Sequence, residues 1–464
     1  MQRKINRARM SYIVLAQIFF AVLLQPALGA GQAEVALAPP SGPPTSSTRV
    51  SGAGFTPNSA LAIFFDTVRE TVVKTDSIGS FSVRIQVPSL ATPGTHLVRA
   101  QTSEVWVDGY FLVQTDWTQF HFTVSGTRFN PYENVLNSGN VGSLTLKWSY
   151  LTGELTSSPA AANGAVFAAD NSDHVTALNA STGSTLWKAG GGNHFYSGPA
   201  IANGHVYAAC QDGFLYAFNE RTGIQEWTFA GTSWFSSSPA VVGGVVYVGN
   251  NDAYLYAVDA TTGALRWKFH TGFEVVSSPT VSDGVVYFGS TDSNVYAVGA
   301  QAGSNIWRFK TGGDASSSPA IANGILYIGS ADGNLYALNP QTGAEIWRYP
   351  TGGSIYSSPA VANGIVYFGS TDNHLYAVNA STGAELWNYP MSLYGFTLYS
   401  SPAVANGVVY VGSEDDNLYA LNADTGALLW SFKTEGTVSS SPIVANGMLF
   451  FGSGDGKVYA FGLP

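Results

Sequence analysis

A unit of about 40 residues recurs eight times from Ser157 onward, and this repetition constrains the fold more than any single motif. One copy, Ser357 to Thr382, reads SSPAVANGIVYFGSTDNHLYAVNAST and closes with Gly383 and Trp387. The proline of the opening SSP or SGP returns at Pro159, Pro199, Pro239, Pro279, Pro319, Pro359, Pro402 and Pro442, a spacing of 40 broken once by a step of 43. A chain this regular must stack like units on one another.

Each unit reads as four short strands, A to D. The SSPAVAN, IVYFGS and LYAVN stretches are apolar runs separated by an NG turn and an Asp-containing turn, and a Thr-Gly turn precedes the Trp stretch. So small a sheet cannot bury both faces alone, and stacking around an axis is the propeller solution. The predicted class is therefore all-β, an eight-bladed propeller over residues 116–464. Trp187, Trp227, Trp267, Trp307, Trp347, Trp387 and Trp430 fall in D strands, but the last repeat ends at Pro464 after its C strand. Trp148, in LTLKWSY, supplies the missing eighth D strand and so closes the ring from the N-terminal side. One Trp per repeat at constant position reads as core between blades.

Composition fits an exported all-β chain. Charged residues make up only 11% of the sequence, and the net charge of -10 argues against nucleic acid or an anionic membrane as partner. Residues 1–30 read as an export signal, with Lys4, Arg7 and Arg9 ahead of the apolar run Tyr12 to Leu24 and small residues at Ala27 to Ala30. Cleavage would leave no membrane span; an uncleaved anchor is the competing reading. The chain is thus expected to be secreted or periplasmic. The lone Cys210 forbids an intramolecular disulfide and stands where other repeats carry Ser, so it reads as a packing residue.

Residues 31–48 are Pro-, Ser- and Thr-rich and read as a linker. Strand-like runs follow at Leu61 to Phe65, Phe81 to Val87 and His96 to Ala100. With STRVSGAGFTPNSALAIFF, GSFSVRIQVP and PGTHLVRA, residues 49–115 resemble the immunoglobulin-like modules of bacterial surface proteins. The resemblance implies a small sandwich that spaces or docks its neighbour.

From Asp116 a second resemblance begins. Asp116-Trp117, Arg128-Phe129-Asn130-Pro131, Asn140-Val141, Leu144 and Trp148 are similar to the leading segment of quinoprotein alcohol dehydrogenases, and Ala377, Thr382, Gly383 and Trp387 follow the pyrroloquinoline-quinone (PQQ) type of propeller repeat. In that family the enzymes hold calcium and the quinone with carboxylates, an amide and an aromatic floor, commonly beside two adjacent cysteines. The metal acts as Lewis acid and a carboxylate as general base. This chain has no adjacent cysteines and no long roofing insertions, so no cofactor is expected, and PQQ with calcium belongs to the alternative reading. The same repeat also builds non-catalytic propellers, among them the periplasmic scaffold of outer-membrane protein assembly.

No HExxH, Walker or GxSxG motif is present. Asp212, Asp252, Asp292, Asp332, Asp372, Asp415 and Asp455 recur in the B–C turns, read either as turn caps or as an acidic ring. The D–A loops vary most. They carry His194, Phe195, Tyr196, Trp234, Phe235, Phe273, Tyr356, Tyr394, Phe396 and Tyr399, and one of them holds the three-residue insertion. Repeat proteins place departures from consensus on their binding face, so these residues are the candidate ligand site for a protein, peptide or glycan at the propeller mouth. The competing reading is rings turned inward as a plug. A binding or assembly scaffold is the predicted function; a PQQ- and calcium-dependent dehydrogenase and a carbohydrate-recognising or carbohydrate-processing protein are the alternatives.

Overall fold

A computed structural model describes residues 33–153, 157–391 and 398–464, and among these the only helical element is the short 3-10 turn Val141–Ser143. The expected export signal therefore lies outside the described residues. By contacts the chain divides into two units, one drawn from residues up to 111 and the other dominated by 112–464.

Residues 34–113 form two sheets. One has the strands Glu34–Ala38, Ser47–Ala53 and Phe81–Gln86; the other has the order Ser41–Gly42, Trp106–Val113, Gly94–Gln101, Ala60–Phe65, Val68–Lys74. Period-two burial fixes the register: Leu61, Ile63 and Phe65 are buried while Ala62 and Phe64 are not. The 31–48 stretch is not simply a linker. Its Glu34–Ala38 strand pairs from Glu34↔Ala53 to Ala38↔Arg49, because Pro39, Pro40, Pro43 and Pro44 fall outside the strands and leave the ladder its donors.

Eight sheets follow, one per repeat, each of antiparallel strands save that Phe129–Asn130 adds to the seventh, parallel to Ala403–Ala405. Sheet 1 comprises Ala160–Ala162, Ala165–Ala169, His174–Asn179 and Thr185–Gly190, and the order A-B-C-D recurs through sheet 7. Sheet 8 takes its outer strand from Thr145–Leu151, which pairs with Lys457–Gly462 from Thr145↔Gly462 to Leu151↔Lys457. The seam expected from Trp148 is thus formed.

The core is a series of interfaces between consecutive sheets. Phe167 and Val175 of sheet 1 pack with Val206 and Phe218 of sheet 2, and Phe450 and Val458 of sheet 8 pack with Val166 and Leu178 of sheet 1, so the last interface returns to the first. The Thr-Gly turn and the Trp are one device. Trp187 Nε1 donates to the Glu220 carbonyl at 2.8 Å, and a Cβ on Gly223 (φ 69°) would lie 2.6 Å from that indole. Gly183 stands against Trp148 in the same way, and Gly343 against Trp307. Glycine is required here by the left-handed backbone and by the ring.

Two further devices close the inner edge. The amide of Ser238 donates to Ser278 Oγ at 3.0 Å, Ser278 to Ser318, Ser318 to Ser358, Ser358 to Ser401, Ser401 to Ser441, and Ser441 back to Ser158 at 3.0 Å. Gly198 interrupts this circle for lack of a hydroxyl, and a Cβ there would sit 2.8 Å from the Ser158 carbonyl. The second device is a strap, residues 115–130, that visits the A strands in repeat order. Carbonyls of Trp117, Thr118, Val124, Ser125, Thr127 and Arg128 accept the amides of Ala161, Ile201, Val281, Ile321, Val361 and Val404. Thr115 and Asn130 then bond to Asn446 and Val444 of repeat 8. The strap therefore completes one circuit on the side of the A–B turns.

Candidate binding face and its floor

On the opposite side, D–A loops and B–C turns interlock by one rule in repeats 2 to 6 and 8. In repeat 4 the Asp292 carboxylate accepts the Asn294 amide on Oδ1 and, on Oδ2, the Tyr296 hydroxyl at 2.7 Å and the Gly272 amide of the preceding loop at 2.7 Å. Burial pushes the Asp292 carboxyl up, but the Tyr296 hydroxyl and the Gly272 and Asn294 amides outweigh it and hold the group below the ordinary aspartate value. Burial, then the bond to Asp332, pushes the Tyr336 hydroxyl up to about 12. All seven turn aspartates have both oxygens engaged by turn amides and tyrosine hydroxyls. They cap turns and do not form a free acidic ring.

Backbone bonds also fix where each loop points. The amides of Gln211, Asn251, Thr291 and Ala331 donate to the carbonyls of His194, Trp234, Glu274 and Asp314, so these four side chains stand at equivalent places in consecutive repeats. Trp234 is 55% exposed and Phe273 66%, and neither makes a ring contact among the described residues. Tyr196 is 40% and Tyr399 45% exposed; Tyr399 stacks on the half-buried Tyr356 at 5.7 Å, and His194 meets Tyr196 edge-on at 6.1 Å. His194 Nδ1 also lies 3.2 Å from Asp173.

Phe195 and Phe235 are fully buried and belong to the core, not to the binding face. They occupy the loop position filled elsewhere by the buried Val275, Ala315, Ile355, Leu398 and Val438. Their larger rings are accommodated by Gly191 and Gly231, where a Cβ would come within 2.6 and 3.0 Å of the ring; the smaller residues go with Thr271, Thr311 and Thr351. That paired change is a sequence signal for burial. Tyr394 and Phe396 lie outside the described residues. Cys210 is buried, its Sγ donates to the Asn193 carbonyl at 3.0 Å, and burial pushes the thiol up to about 12, which suits packing and not nucleophilic chemistry.

Residues assigned no site role from the sequence form the floor. Arg128 is fully buried and donates to the carbonyls of Pro402 at 2.8 Å, Pro442 at 3.0 Å and Phe120, with the rings of Phe120 and Trp117 over its guanidinium at 4.7 and 5.6 Å. His121, also buried, has no partner for Nε2; burial, with the Arg128 charge adding to it, pushes its pKa down to about 3. The legible hint was an arginine beside the aromatic residues Phe120, Phe122 and Phe129.

A calcium–quinone pair needs free carboxylate and amide oxygens converging on the axis. Here the turn aspartates are spent on their own turns, the inner serines bond one another, and among the described residues no three His, Cys, Asp or Glu side chains are grouped to hold a metal.

Comparisons with known proteins bear on the family and on the fold. The profile described as "Outer membrane protein assembly factor BamB", a PQQ-type repeat family, matches residues 114–234, 231–316, 291–402 and 392–462. No curated protein matches the chain. Among solved structures, BamB from Moraxella catarrhalis is similar over 69% of this chain and 97% of its own, at 23% identity and a TM-score of 0.61. The quinohemoprotein alcohol dehydrogenase ADHIIG from Pseudomonas putida HK5 is similar over 75% of this chain and 80% of its own, at 18% identity and a TM-score of 0.65. The computationally designed Ika8 protein is similar over 68% and 98%, at 18% identity and a TM-score of 0.61. At such identities the structural likeness speaks for the fold alone.

Proposed function

Because the chain belongs to the PQQ-type repeat family described as outer membrane protein assembly factor BamB, we propose that it is a non-catalytic binding scaffold for protein assembly at the bacterial outer membrane. Its ring is an eight-bladed propeller, and its first unit is an immunoglobulin-like module. The N-terminal 30 residues direct export, leaving the chain secreted or periplasmic; no described helix is long and apolar enough to cross a membrane.

The observation that carries this reading is the display of exposed Tyr196, Trp234, Phe273 and Tyr399 on the D–A loops, with the Trp234 carbonyl held by the Asn251 amide. Exposed aromatics on fixed backbone are economical anchors for a protein surface, since little side-chain entropy is lost on docking. The double change Trp234→Ala, Tyr399→Ala should cost on the order of 2 kcal/mol in partner binding with the melting temperature unchanged, because both rings are outside the core. Capture of outer-membrane assembly proteins by the double variant at parental strength would refute the assignment of this face. The dehydrogenase reading is supported by the fold neighbours only; dye-linked alcohol turnover with added PQQ and calcium, above a heat-killed control, would restore it.

A further inference from the structure

On the side of the A–B turns, the chain shows how one of its own inter-sheet grooves is filled. Between sheets 7 and 8, Leu136 is fully buried with Ala405, Val408, Val444 and Leu449. The Asn406 side-chain amide donates to the Leu136 carbonyl at 3.0 Å. Val135 covers Gly447, where a Cβ would lie 3.1 Å from the valine. Glu133 accepts the amides of Val135 and Leu136 at 2.8 and 2.9 Å, and its second oxygen accepts the Gly447 amide at 3.2 Å. An acidic residue thus caps the backbone of an apolar pair and ties it to the turn.

The repeat builds the same seat again without an occupant. Counted from the SSP proline, Val285, Tyr287 and Ile306 of repeat 4 stand where Val408, Tyr410 and Leu429 stand in repeat 7. Ile321, Asn323 and Gly324 of repeat 5 stand where Val444, Asn446 and Gly447 stand in repeat 8. Those six residues line an open groove of about 440 Å³ between sheets 4 and 5. A Cβ on Gly324 would meet nothing within 4 Å, and Ile306 is 47% exposed. Seat and occupant are therefore both present in this molecule, at different repeats.

We infer that the groove between sheets 4 and 5 receives a polypeptide segment of a partner with the chemistry of Glu133–Leu136: an acidic residue, a spacer, then two apolar residues of Val or Leu size. The apolar pair fills the space between Val285, Ile306 and Ile321, and the carboxylate accepts the Gly324 amide. One difference refines the partner. Asp283 stands in place of Asn406, so the amide that donates to the Leu136 carbonyl is replaced by a carboxylate that only accepts, and a basic or amide side chain just after the apolar pair suits it. This surface lies opposite the D–A loops and does not depend on their role.

The test uses the full chain and a fluorescein-labelled peptide of residues 131–138, PYENVLNS, read by fluorescence anisotropy. Saturable binding is expected, tighter when the peptide carries Lys at the Asn137 position. Ile306→Glu should weaken it by at least about ten-fold. That variant is compatible with the fold, since repeat 2 already carries Glu226 at the same place, and an unchanged melting temperature checks it. Arg266→Glu, at the equivalent position of repeat 3, should leave binding as it is. The inference fails if the peptide does not saturate by about 1 mM, the weak end of useful recognition. It fails equally if a peptide with Asp at the Leu136 position binds as well, or if Arg266→Glu abolishes binding and Ile306→Glu does not.

Discussion

Arg128 shows how a buried charge is held without a carboxylate. Three carbonyls and two ring faces take up its field, and burial pushes its pKa down only to about 9, so it stays a cation at neutral pH. Arg128→Met would strand those carbonyls in a dry site and should cost about 3 kcal/mol of stability, read as a lower urea midpoint at unchanged slope. His121 beside it makes the strap sensitive to acid. Its folded pKa is about 3, below the ordinary 6.5, so the unfolded chain takes a proton that the folded chain refuses. The stability this contributes is complete above pH 6.5 and is lost as pH falls toward 3. Between pH 7 and pH 5 the wild type should lose about 2 kcal/mol more than His121→Gln, by paired urea titrations. Equal losses in the two proteins would show that the imidazole is not sealed from water.

At the scale of elements, closure rests on residues 115–151, which supply both the inner strap and the outer strand of sheet 8. Without them the inner amides of Ala161, Ile201, Val281, Ile321, Val361 and Val404 lose their acceptors, and Lys457–Gly462 becomes an open edge. Deleting 115–151 should abolish the cooperative unfolding transition in calorimetry, whereas a transition at the parental temperature would mean that the sheets hold together without a seam. The outer strand could be deduced from counting tryptophans. The strap could not: TQFHFTVSGT alternates polar and apolar residues as an ordinary strand would, and nothing in it records that its partners are the ends of different repeats and not one neighbouring strand.

For the whole molecule, number and register are coupled. Each strap carbonyl is matched to a particular repeat, and the Ser441 to Ser158 bond joins last to first, so the ring is not an open array that can be shortened at will. Removal of residues 279–318, one full repeat, should therefore destroy cooperative folding instead of lowering the unfolding enthalpy by a proportionate share. A soluble deletion variant melting sharply at the parental temperature would contradict this.

The 40-residue period, the strand-turn pattern and the orphan Trp148 determined the all-β repeat architecture and its seam, because local periodicity and turn chemistry are written in neighbouring residues. The same reading found the loops where Trp234, Phe273 and Tyr399 stand exposed, yet it could not separate them from Phe195 and Phe235, since an aromatic in a loop carries no mark of which way it turns. Only the tertiary structure decided that. It also turned the aspartates into their own turns, set Arg128 beneath the inner ring and left the groove between sheets 4 and 5 open where its counterpart between sheets 7 and 8 holds Leu136. These outcomes depend on residues hundreds of positions apart meeting in space, and the sequence records such meetings only through the packing that joins them.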